Sequence, residues 1–273
     1  MRPCPACGET TAAYSLGLQK CRSCGLCFKN KKSFNAPLYS PGMEADIYRA
    51  AKNGLFAAAL DFLGRGQALR GRLLDIGCAG GEFMKAALER GWRPEGVEID
   101  PVLSARAAAA GFRVHVRAVE ECSLEGGGYT AVTAFEVLSQ MDAPDAAVRE
   151  SYKLLAPGGV IYVREFNAVF HVPLYKFQLS GIFGLLGARP AVLHNFNFTP
   201  HAIRIMLQRA GFTDIAVRNS RPTAGDPYRT GGLIGGRLAG LLKFLYYLLA
   251  QALWLLSFGR LYAGSALIVT ARK

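Results

Sequence analysis

The sequence has few acidic residues, and it has few cysteines outside its first segment. Asp and Glu number 20 against 32 Lys and Arg, which gives a formal charge of +12. Five of the seven cysteines fall within residues 4–27, whereas a disulfide-stapled secreted domain would spread them along the chain. The N-terminus also lacks the apolar stretch of a signal peptide. We therefore expect a protein of the reducing cytoplasm.

The positive charge is concentrated toward the two ends of the chain. Residues 1–36 carry a net charge of +5 and residues 189–260 carry +7, whereas residues 37–188 carry −2. Such ends attract nucleic acid, an anionic membrane surface or an acidic substrate, since long-range charge acts on all three. Charge alone does not choose among these partners.

The chain is not depleted of apolar residues in the way that disordered chains are. Apolar residues make up 51% of it and charged residues 19%. A chain of 273 residues can bury one sizeable core and still form a small extra module. We expect a main domain at 37–273 and an N-terminal appendage at 1–36.

Two Cys-x2-Cys pairs, each followed by glycine, lie in the first 25 residues. Their separation of 13 residues is typical of a Cys4 zinc site. Four thiolates complete a tetrahedral shell and leave no position for water, so the zinc would be structural. A segment this short cannot build its own core, and the metal would supply most of its folding free energy. The predicted ligands of this zinc ribbon are Cys4, Cys7, Cys21 and Cys24.

Cys27 offers a competing Cys-x2-Cys pair with Cys24. It lacks the following glycine and lies in an apolar run, so we interpret it as a buried spare. A redox-active or disulfide pair is the alternative for the cluster, and the expected compartment disfavours it.

A strand, a glycine-rich turn and a helix follow one another after residue 70. Residues 72–77 are typical of a buried parallel strand, and a helix over about 82–90 closes at Gly91. The turn between them consists of Cys78, Ala79, Gly80 and Gly81. We expect this turn to approach a bound nucleoside cofactor.

A second strand, residues 94–99, ends in Glu98 and Ile99. An acid at this place can accept hydrogen bonds from both ribose hydroxyls of a nucleoside cofactor. Glu82, in the first turn of the helix, would repel the pyrophosphate of a dinucleotide. S-adenosylmethionine has no phosphate and carries a sulfonium and an ammonium, so Asp75 and the nearby acids favour it over NAD.

The stretch from about 70 to 165 resembles the class I S-adenosylmethionine-dependent methyltransferases, and the whole chain resembles bacterial members with an N-terminal zinc ribbon. Residues 154–163 resemble the family's Pro-Gly-Gly turn into the fifth strand. The resemblance implies a site of Asp75, Gly77 and Gly81 in the D-x-G-x-G-x-G loop, Glu98 as the ribose-binding acid, and Phe135 after the fourth strand beside the cofactor.

Two residues depart from the family pattern. Ala79 replaces the middle glycine of the loop, which narrows it. The third strand, residues 112–117, ends in Ala118 where many relatives have an acid for the adenine amine. Glu120 is one substitute for that acid, and a backbone carbonyl is another.

The order of elements indicates a Rossmann-like, doubly wound α/β fold. Residues 43–70 are predicted to form a helix, and alternating strands and helices through about 163 imply a mostly parallel sheet with helices on both faces. Residues 215–217 and 265–271 are predicted to be the last strands, the final one antiparallel. Ligands of such sheets bind at the carboxyl ends of the strands, where the strand order reverses.

The insert at 167–198 resembles the lid that covers the acceptor in this family. Its aromatic and leucine side chains suit an acceptor with an aromatic or lipid part, but they are equally typical of core. Gln140 stands where many relatives have a histidine, so the catalytic base stays unassigned. His171, His194 and Glu165 are candidates for it, with a structural role as the alternative.

Residues 232–260 are predicted to form an apolar helix that contacts a membrane. The uncharged run 244–259 is 16 residues, which is short for a span, and the later strand at 265–271 must return to the same sheet. We favour a helix in the membrane interface or a helical hairpin that returns, and packing on the sheet or on a second subunit is the alternative. The basic residues that would favour anionic lipid are Arg221, Arg229, Arg237, Lys243 and Arg260.

These features predict a cytoplasmic methyltransferase, peripheral to the inner face of the membrane, with S-adenosylmethionine and a structural zinc. The predicted acceptor is an oxygen of a glycan, a lipid-linked molecule or a secondary metabolite. One alternative is an RNA base methyltransferase, which the basic ends would suit, but an N-P-P-[YF]-like motif is missing. Another is a non-catalytic binding module with the same fold.

Overall fold

The computed structural model describes residues 3–29, 52–65, 70–185, 191–224 and 236–273. The strands are β1 (Thr11–Ala13), β2 (Leu18–Cys21), β3 (Cys27–Lys29), β4 (Arg72–Ile76), β5 (Arg93–Val97), β6 (Val114–His115), β7 (Tyr129–Phe135), β8 (Leu155–Phe166), β9 (Phe196–Asn197), β10 (Thr213–Asn219) and β11 (Ala266–Arg272). The helices are α1 (Asn53–Arg65), α2 (Glu82–Glu89), α3 (Pro101–Ala109), α4 (Pro144–Leu154), α5 (Ala168–Gln178), α6 (Ile182–Leu185), α7 (Pro200–Ala210) and α8 (Gly236–Leu256).

The chain divides into two compact units. The first consists of Met1–Gly54, Glu165–Ile205 and Val217–Ile268, and the second of Leu55–Arg164, Met206–Ala216 and Val269–Lys273. The first unit therefore contains the cysteine-rich head with α5, α6 and α8. The second contains the glycine-rich turn with α2, α3 and α4.

Seven of the described strands form one sheet in the order β10-β11-β8-β7-β4-β5-β6. β4 pairs in parallel with β5 and β7, β5 with β6, and β7 with β8. The chain thus runs outward from β4 through β5 and β6 and returns to β7 on the other side. This mostly parallel, doubly wound sheet confirms the predicted fold class.

The last strand, β11, runs antiparallel to β8, as predicted. At one end Gly158 N donates to Lys273 O at 3.2 Å, and at the other Asn167 N donates to Ser265 O at 3.0 Å. Residues that lie far apart along β8 therefore meet β11 in reversed order, which only an antiparallel pair allows.

Local sequence signals set the ends of several helices. Asp100 caps α3 by accepting hydrogen bonds from Val102 N at 2.8 Å and Leu103 N at 3.0 Å. Gly91 and Gly211 follow α2 and α7 with φ of 83° and 104°, a conformation that glycine adopts without steric cost. The bounds of α2 agree with the helix predicted over about 82–90 to within one residue.

Three predicted boundaries need correction. β6 comprises only 114–115, not 112–117, because only these two residues pair with β5. β5 ends at Val97, so Glu98 and Ile99 follow the strand and do not belong to it. α1 begins at residue 53, and the parts of the predicted 43–70 helix at 43–51 and 66–69 lie outside the described residues.

A second, antiparallel sheet in the first unit has the order β1-β2-β3-β9. Its fourth strand, β9, comes from the 167–198 insert. Asn197 fixes this strand by donating from its side chain to Cys27 O at 3.2 Å and to His194 O at 3.0 Å. The predicted domain boundary at residue 36 stays a prediction, since residues 30–51 lie outside the described part of the chain.

Among the described helices, α8 alone is long and apolar enough to cross a bilayer. Within the stretch Arg237–Leu256, an 18-residue window has a mean hydropathy of 1.5, and 11% of that window is buried. Length and composition of this kind also occur in core helices of soluble proteins. The low burial of α8 is what separates it from such a core helix.

Candidate functional site

The glycine-rich turn begins where β4 ends, and backbone hydrogen bonds to β5 fix its course. Gly77 N and Cys78 N both donate to Val97 O, at 2.7 and 3.1 Å. Gly77 has a φ of 71°, and a Cβ at this position would lie 2.6 Å from the Val137 side chain. Only glycine therefore fits the first position of the loop.

Glu98 lies one residue beyond β5 and faces this loop. Its Oε2 accepts a hydrogen bond from Ala79 N at 3.0 Å, and its Oε1 accepts one from Asp100 N at 3.0 Å. Burial raises the pKa of Glu98, while these two N–H groups oppose that shift. Each carboxylate oxygen keeps a second lone pair, so Glu98 can still accept the two ribose hydroxyls that the sequence predicts.

Two further carboxylates lie at the loop. Asp75 is buried in β4 and accepts a hydrogen bond from Thr133 Oγ1 at 2.7 Å. Glu82 folds back over Gly80, since a Cβ on that glycine would lie 2.7 Å from Glu82 Oε1. This carboxylate would repel a pyrophosphate at the N-terminus of α2. The geometry therefore supports the prediction that the cofactor is not a dinucleotide.

Ala79 holds a left-handed backbone conformation, with a φ of 47°. This conformation costs an L-residue about 1–2 kcal/mol, and glycine avoids most of that cost. We expect Ala79→Gly to raise the free energy of unfolding by about 0.5–1 kcal/mol, as measured by urea denaturation. The same change at Ala86, inside α2, should lower it by about 1 kcal/mol. Equal destabilisation by both changes would show that Ala79 is unstrained.

The remaining residues predicted for the cofactor lie around this loop in the second unit. Gly81 precedes α2 with a φ of 89°, and Cys78 is buried against Met84 and Ala107. Ile99 is 61% exposed directly after Glu98. Glu120 is exposed on a single 3-10 turn, Val119–Glu121. Their roles toward the cofactor stay predictions.

Phe135 is the last residue of β7 and does not follow the strand, which corrects its predicted place. Its buried ring packs against three other rings, at centroid distances of 4.7 to 5.8 Å, because the strand directs it into an aromatic cluster. The other members of this cluster are Phe56, Phe83 and Tyr162. Its predicted contact with the cofactor is untested.

Glu136 is the residue that follows β7, and sequence analysis missed it. Its carboxylate forms an ion pair with the Arg164 guanidinium, and both side chains are buried. Glu136 N also donates to Arg164 O at 2.7 Å. The signal was present in the sequence, because charges at the carboxyl ends of two neighbouring parallel strands must meet.

The candidates for a catalytic base occupy different environments. His171 Nε2 lies 3.0 Å from Ser265 O, and its Nδ1 accepts a hydrogen bond from Val192 N at 3.4 Å. Both ring nitrogens are thus engaged with backbone, which indicates a structural role. Gln140 donates to Glu136 O at 2.8 Å, and Glu165 is fully buried.

His194 is buried in the first unit and stacks on Phe166 at a centroid distance of 4.8 Å. Burial lowers the pKa of His194 to about 4, and Lys29 adds to the shift. The imidazole is therefore neutral at pH 7. Within the described residues, neither of its ring nitrogens has a hydrogen-bond partner.

The four predicted metal ligands come together in the first unit. The sulfur atoms of Cys4, Cys7, Cys21 and Cys24 all lie within 4.8 Å of one another. A tetrahedral zinc with Zn–S bonds of about 2.3 Å places its sulfurs about 3.8 Å apart, so this cluster fits one zinc ion. Cys27 is not part of the cluster. It packs with Leu18, Ala168 and Val172, as expected of a buried spare.

The ionisation of these thiols also fits a metal. The hydrogen bond with Cys24 lowers the pKa of Cys4 to about 5, and the same contact raises the pKa of Cys24. Burial raises the pKa of Cys7 to about 11. Four thiols this close cannot all ionise without a cation among them.

Residues 47–217 match a protein family described as a methyltransferase domain. The ubiquinone biosynthesis O-methyltransferase of Chromobacterium violaceum is 27% identical over 162 residues, which cover 56% of this chain and 69% of that protein. The protein of the same name from Xanthomonas campestris pv. campestris is 29% identical over 140 residues, covering 48% of this chain and 59% of that protein. The match thus leaves about a third or more of each relative outside it.

The crystal structure of geranyl diphosphate C-methyltransferase from Streptomyces coelicolor, a complex with Mg2+, geranyl diphosphate and S-adenosyl-L-homocysteine, is similar in fold. The TM-score is 0.53 at 18% identity, over 88% of this chain and 87% of that one. At this identity the likeness concerns the fold alone. It agrees with the Rossmann-like fold class described above.

Proposed function

The chain belongs to the methyltransferase-domain family of class I, S-adenosylmethionine-dependent enzymes, and on this premise we propose that it methylates a hydroxyl oxygen of a small apolar or lipid-linked acceptor. Because it is a methyltransferase, the alternative of a non-catalytic binding module is not retained. The named relatives carry out O-methylation in ubiquinone biosynthesis, which supports oxygen chemistry on a small molecule and argues against RNA.

The observation that carries the proposed use of S-adenosylmethionine is the contact between the Glu98 carboxylate and the glycine-rich turn at Ala79. The carboxylate is held by two backbone N–H groups and keeps lone pairs for a ribose. Asp75 and Glu82 add negative charge to the same loop, which favours a cofactor with a sulfonium and an ammonium. The family's methyl donor meets all of these requirements.

An apolar acceptor is supported by the insert at 167–198. Its sequence contains no Asp or Glu, and α6 exposes Ile182 and Leu185. Side chains of this kind contact an aromatic or alkyl group at little desolvation cost. Among the described exposed positions of the insert, only Lys176 and Ser180 carry polar side chains, whereas a glycan would require many polar contacts.

When bound, S-adenosylmethionine supplies a methyl carbon attached to a positively charged sulfur. The chain's own task is to hold the nucleoside end through Glu98 and to align a hydroxyl with that carbon. Such alignment can supply a large part of the rate of an in-line displacement. As the oxygen–carbon bond formed, the carbon–sulfur bond would break and S-adenosylhomocysteine would leave, while the hydroxyl proton would pass to solvent water.

We further propose that the four-cysteine cluster binds a structural zinc ion. Four sulfur ligands leave no open position on the metal, so the zinc would take no part in methyl transfer. Its ligands must be reduced thiolates, and this requirement supports a location in the cytoplasm.

The cofactor site is tested by thermal unfolding and calorimetric titration with S-adenosylhomocysteine. The ligand should stabilise the wild type by about 2.7 kcal/mol at a hundredfold excess over its Kd. Glu98→Ala removes hydrogen bonds to a charged group worth about 1.5–3 kcal/mol each, so its affinity should fall about 10- to 100-fold or more.

Glu89→Gln is the matched control, because Glu89 is an exposed acid at the far end of α2. It should bind the ligand like the wild type. The acceptor class is tested separately, with methyl-labelled donor and total lipid, glycan or RNA fractions. Label that enters RNA, or only water-soluble glycans, would contradict the proposed acceptor and leave the cofactor site intact.

A further inference from the structure

The outer surface of α8 is apolar around most of its circumference. All nine leucines of the helix are exposed, by 37% to 78%, whereas Ala239 and Ala250 are buried. A surface helix of a globular protein normally has a polar face on its solvent side. An apolar patch of this extent indicates an interaction surface.

The sequence around α8 has charge of only one sign. Residues 227–273 contain no Asp or Glu, and Arg237 and Arg260 lie exposed at the two ends of the helix. The helix thus combines an apolar surface with cations at both ends. This combination complements a bilayer whose headgroups carry negative charge.

Helix α5 belongs to the same surface of the first unit. The rings of Phe170 in α5 and Tyr246 in α8 lie 5.2 Å apart. Residues 166–213, which include α5 and α6, also contain no acidic residue. The exposed Phe177 and Leu179 at the end of α5 therefore add to an apolar, acid-free surface.

Hydrogen bonds hold the middle of α8 against the folded chain. Asn219 donates from its side chain to Ala250 O at 3.1 Å and accepts a hydrogen bond from Gly264 N at 3.1 Å. Tyr246 Oη donates to Ala263 O at 2.7 Å. If α8 spanned a bilayer, its middle would lie in the hydrocarbon core, and Asn219 and the 263–264 backbone would have to lie there with it. Polar groups are costly in hydrocarbon, so these contacts argue against a span.

The sheet gives a second argument against a span. β10 precedes α8, β11 follows it, and the two strands are neighbours in the sheet. One crossing of the bilayer would place these neighbours on opposite sides of it. The helix must therefore enter and leave the bilayer surface on the same side.

We propose that α8, with the end of α5 beside it, is a monotopic membrane-docking surface that lies in the headgroup region of an anionic bilayer. The leucines enter the upper acyl region, and Arg237 and Arg260 contact lipid phosphates. Docking requires neither the methyl donor nor the acceptor, so it stands independently of the proposed reaction.

Flotation of the full chain with lipid vesicles tests this proposal, in the absence of any methyl donor. The vesicles are phosphatidylcholine alone or with about 30% phosphatidylglycerol, at about 0.15 M salt. We expect the wild type to bind the anionic vesicles more tightly. Leu249→Glu should weaken that binding at least about tenfold, since it removes an exposed leucine that the bilayer would cover and adds a charge that the anionic headgroups repel.

Leu88→Glu in α2 is the matched control, because Leu88 and Leu249 are both helical leucines that are 55% exposed. It should bind vesicles like the wild type, with equal thermal unfolding of both variants as the check on folding. Arg237→Gln with Arg260→Gln should remove the preference for anionic lipid. Equal loss in both leucine variants, or no vesicle binding by the wild type, overturns the proposal. The proposal is also overturned if the wild type forms a dimer that does not bind vesicles and that Leu249→Glu dissociates, because a second copy would then cover this surface.

Discussion

Chelation of the metal at the four-cysteine site should unfold residues 3–29 and loosen the 195–199 segment with them. A structural zinc contributes an apparent binding free energy of about 10–16 kcal/mol, and the three short strands of the head have no comparable core. Lys29 N donates to Asn195 O at 2.9 Å, and Thr199 Oγ1 donates to Cys24 O at 2.7 Å. Hydrogen exchange should therefore lose protection in both segments, and native mass spectrometry should find one zinc per chain before chelation.

Two single substitutions distinguish the proposed zinc ligands from the neighbouring Cys27. Cys21→Ala should abolish zinc binding. Cys27→Ala should keep the metal and cost about 1 kcal/mol, because Cys27 only packs in an apolar cluster and donates its thiol hydrogen to Gly25 O at 3.6 Å. Loss of zinc from both variants would make Cys27 a ligand and contradict the assignment.

The parts of the fold that follow from local chemistry could be predicted from the sequence. Asp100 before a proline, and Gly91 and Gly211 after apolar periodicity, act within a few residues of themselves and set helix ends. The strand, loop and acid around Gly77 also lie close together in sequence. The predicted function of this loop depends on backbone geometry and charge, and both follow directly from the residue types at these positions.

Contacts between distant segments could not be predicted in this way. β9 has two residues, too few for a pattern, and it forms only because β3 offers a partner. Ala79 gives no sign of its positive φ, which the hydrogen bond from its N–H to Glu98 supports. The exposure of α8 could not be predicted from the sequence either, because the same apolar sequence suits a core helix and a surface helix.

The buried pair Glu136–Arg164 is expected to have the largest effect on stability within the second unit. Arg164→Met leaves the Glu136 carboxylate buried without its counter-charge, and such a loss costs about 3–5 kcal/mol. Urea unfolding monitored by far-ultraviolet circular dichroism measures the change. The reason is desolvation, since Glu136 cannot regain the water that it lost on folding.

The double variant Glu136→Gln with Arg164→Met tests this reason. Replacing a buried ion pair by neutral groups of similar volume is often close to neutral, because both charges are then removed from the low-dielectric interior. We therefore expect the double variant to recover at least half of the free energy of unfolding that Arg164→Met loses. The contrary result is that the double variant loses the sum of what Glu136→Gln and Arg164→Met each lose in free energy of unfolding. The arginine would then act through packing of its alkyl chain, and the carboxylate would be satisfied by its other neighbours.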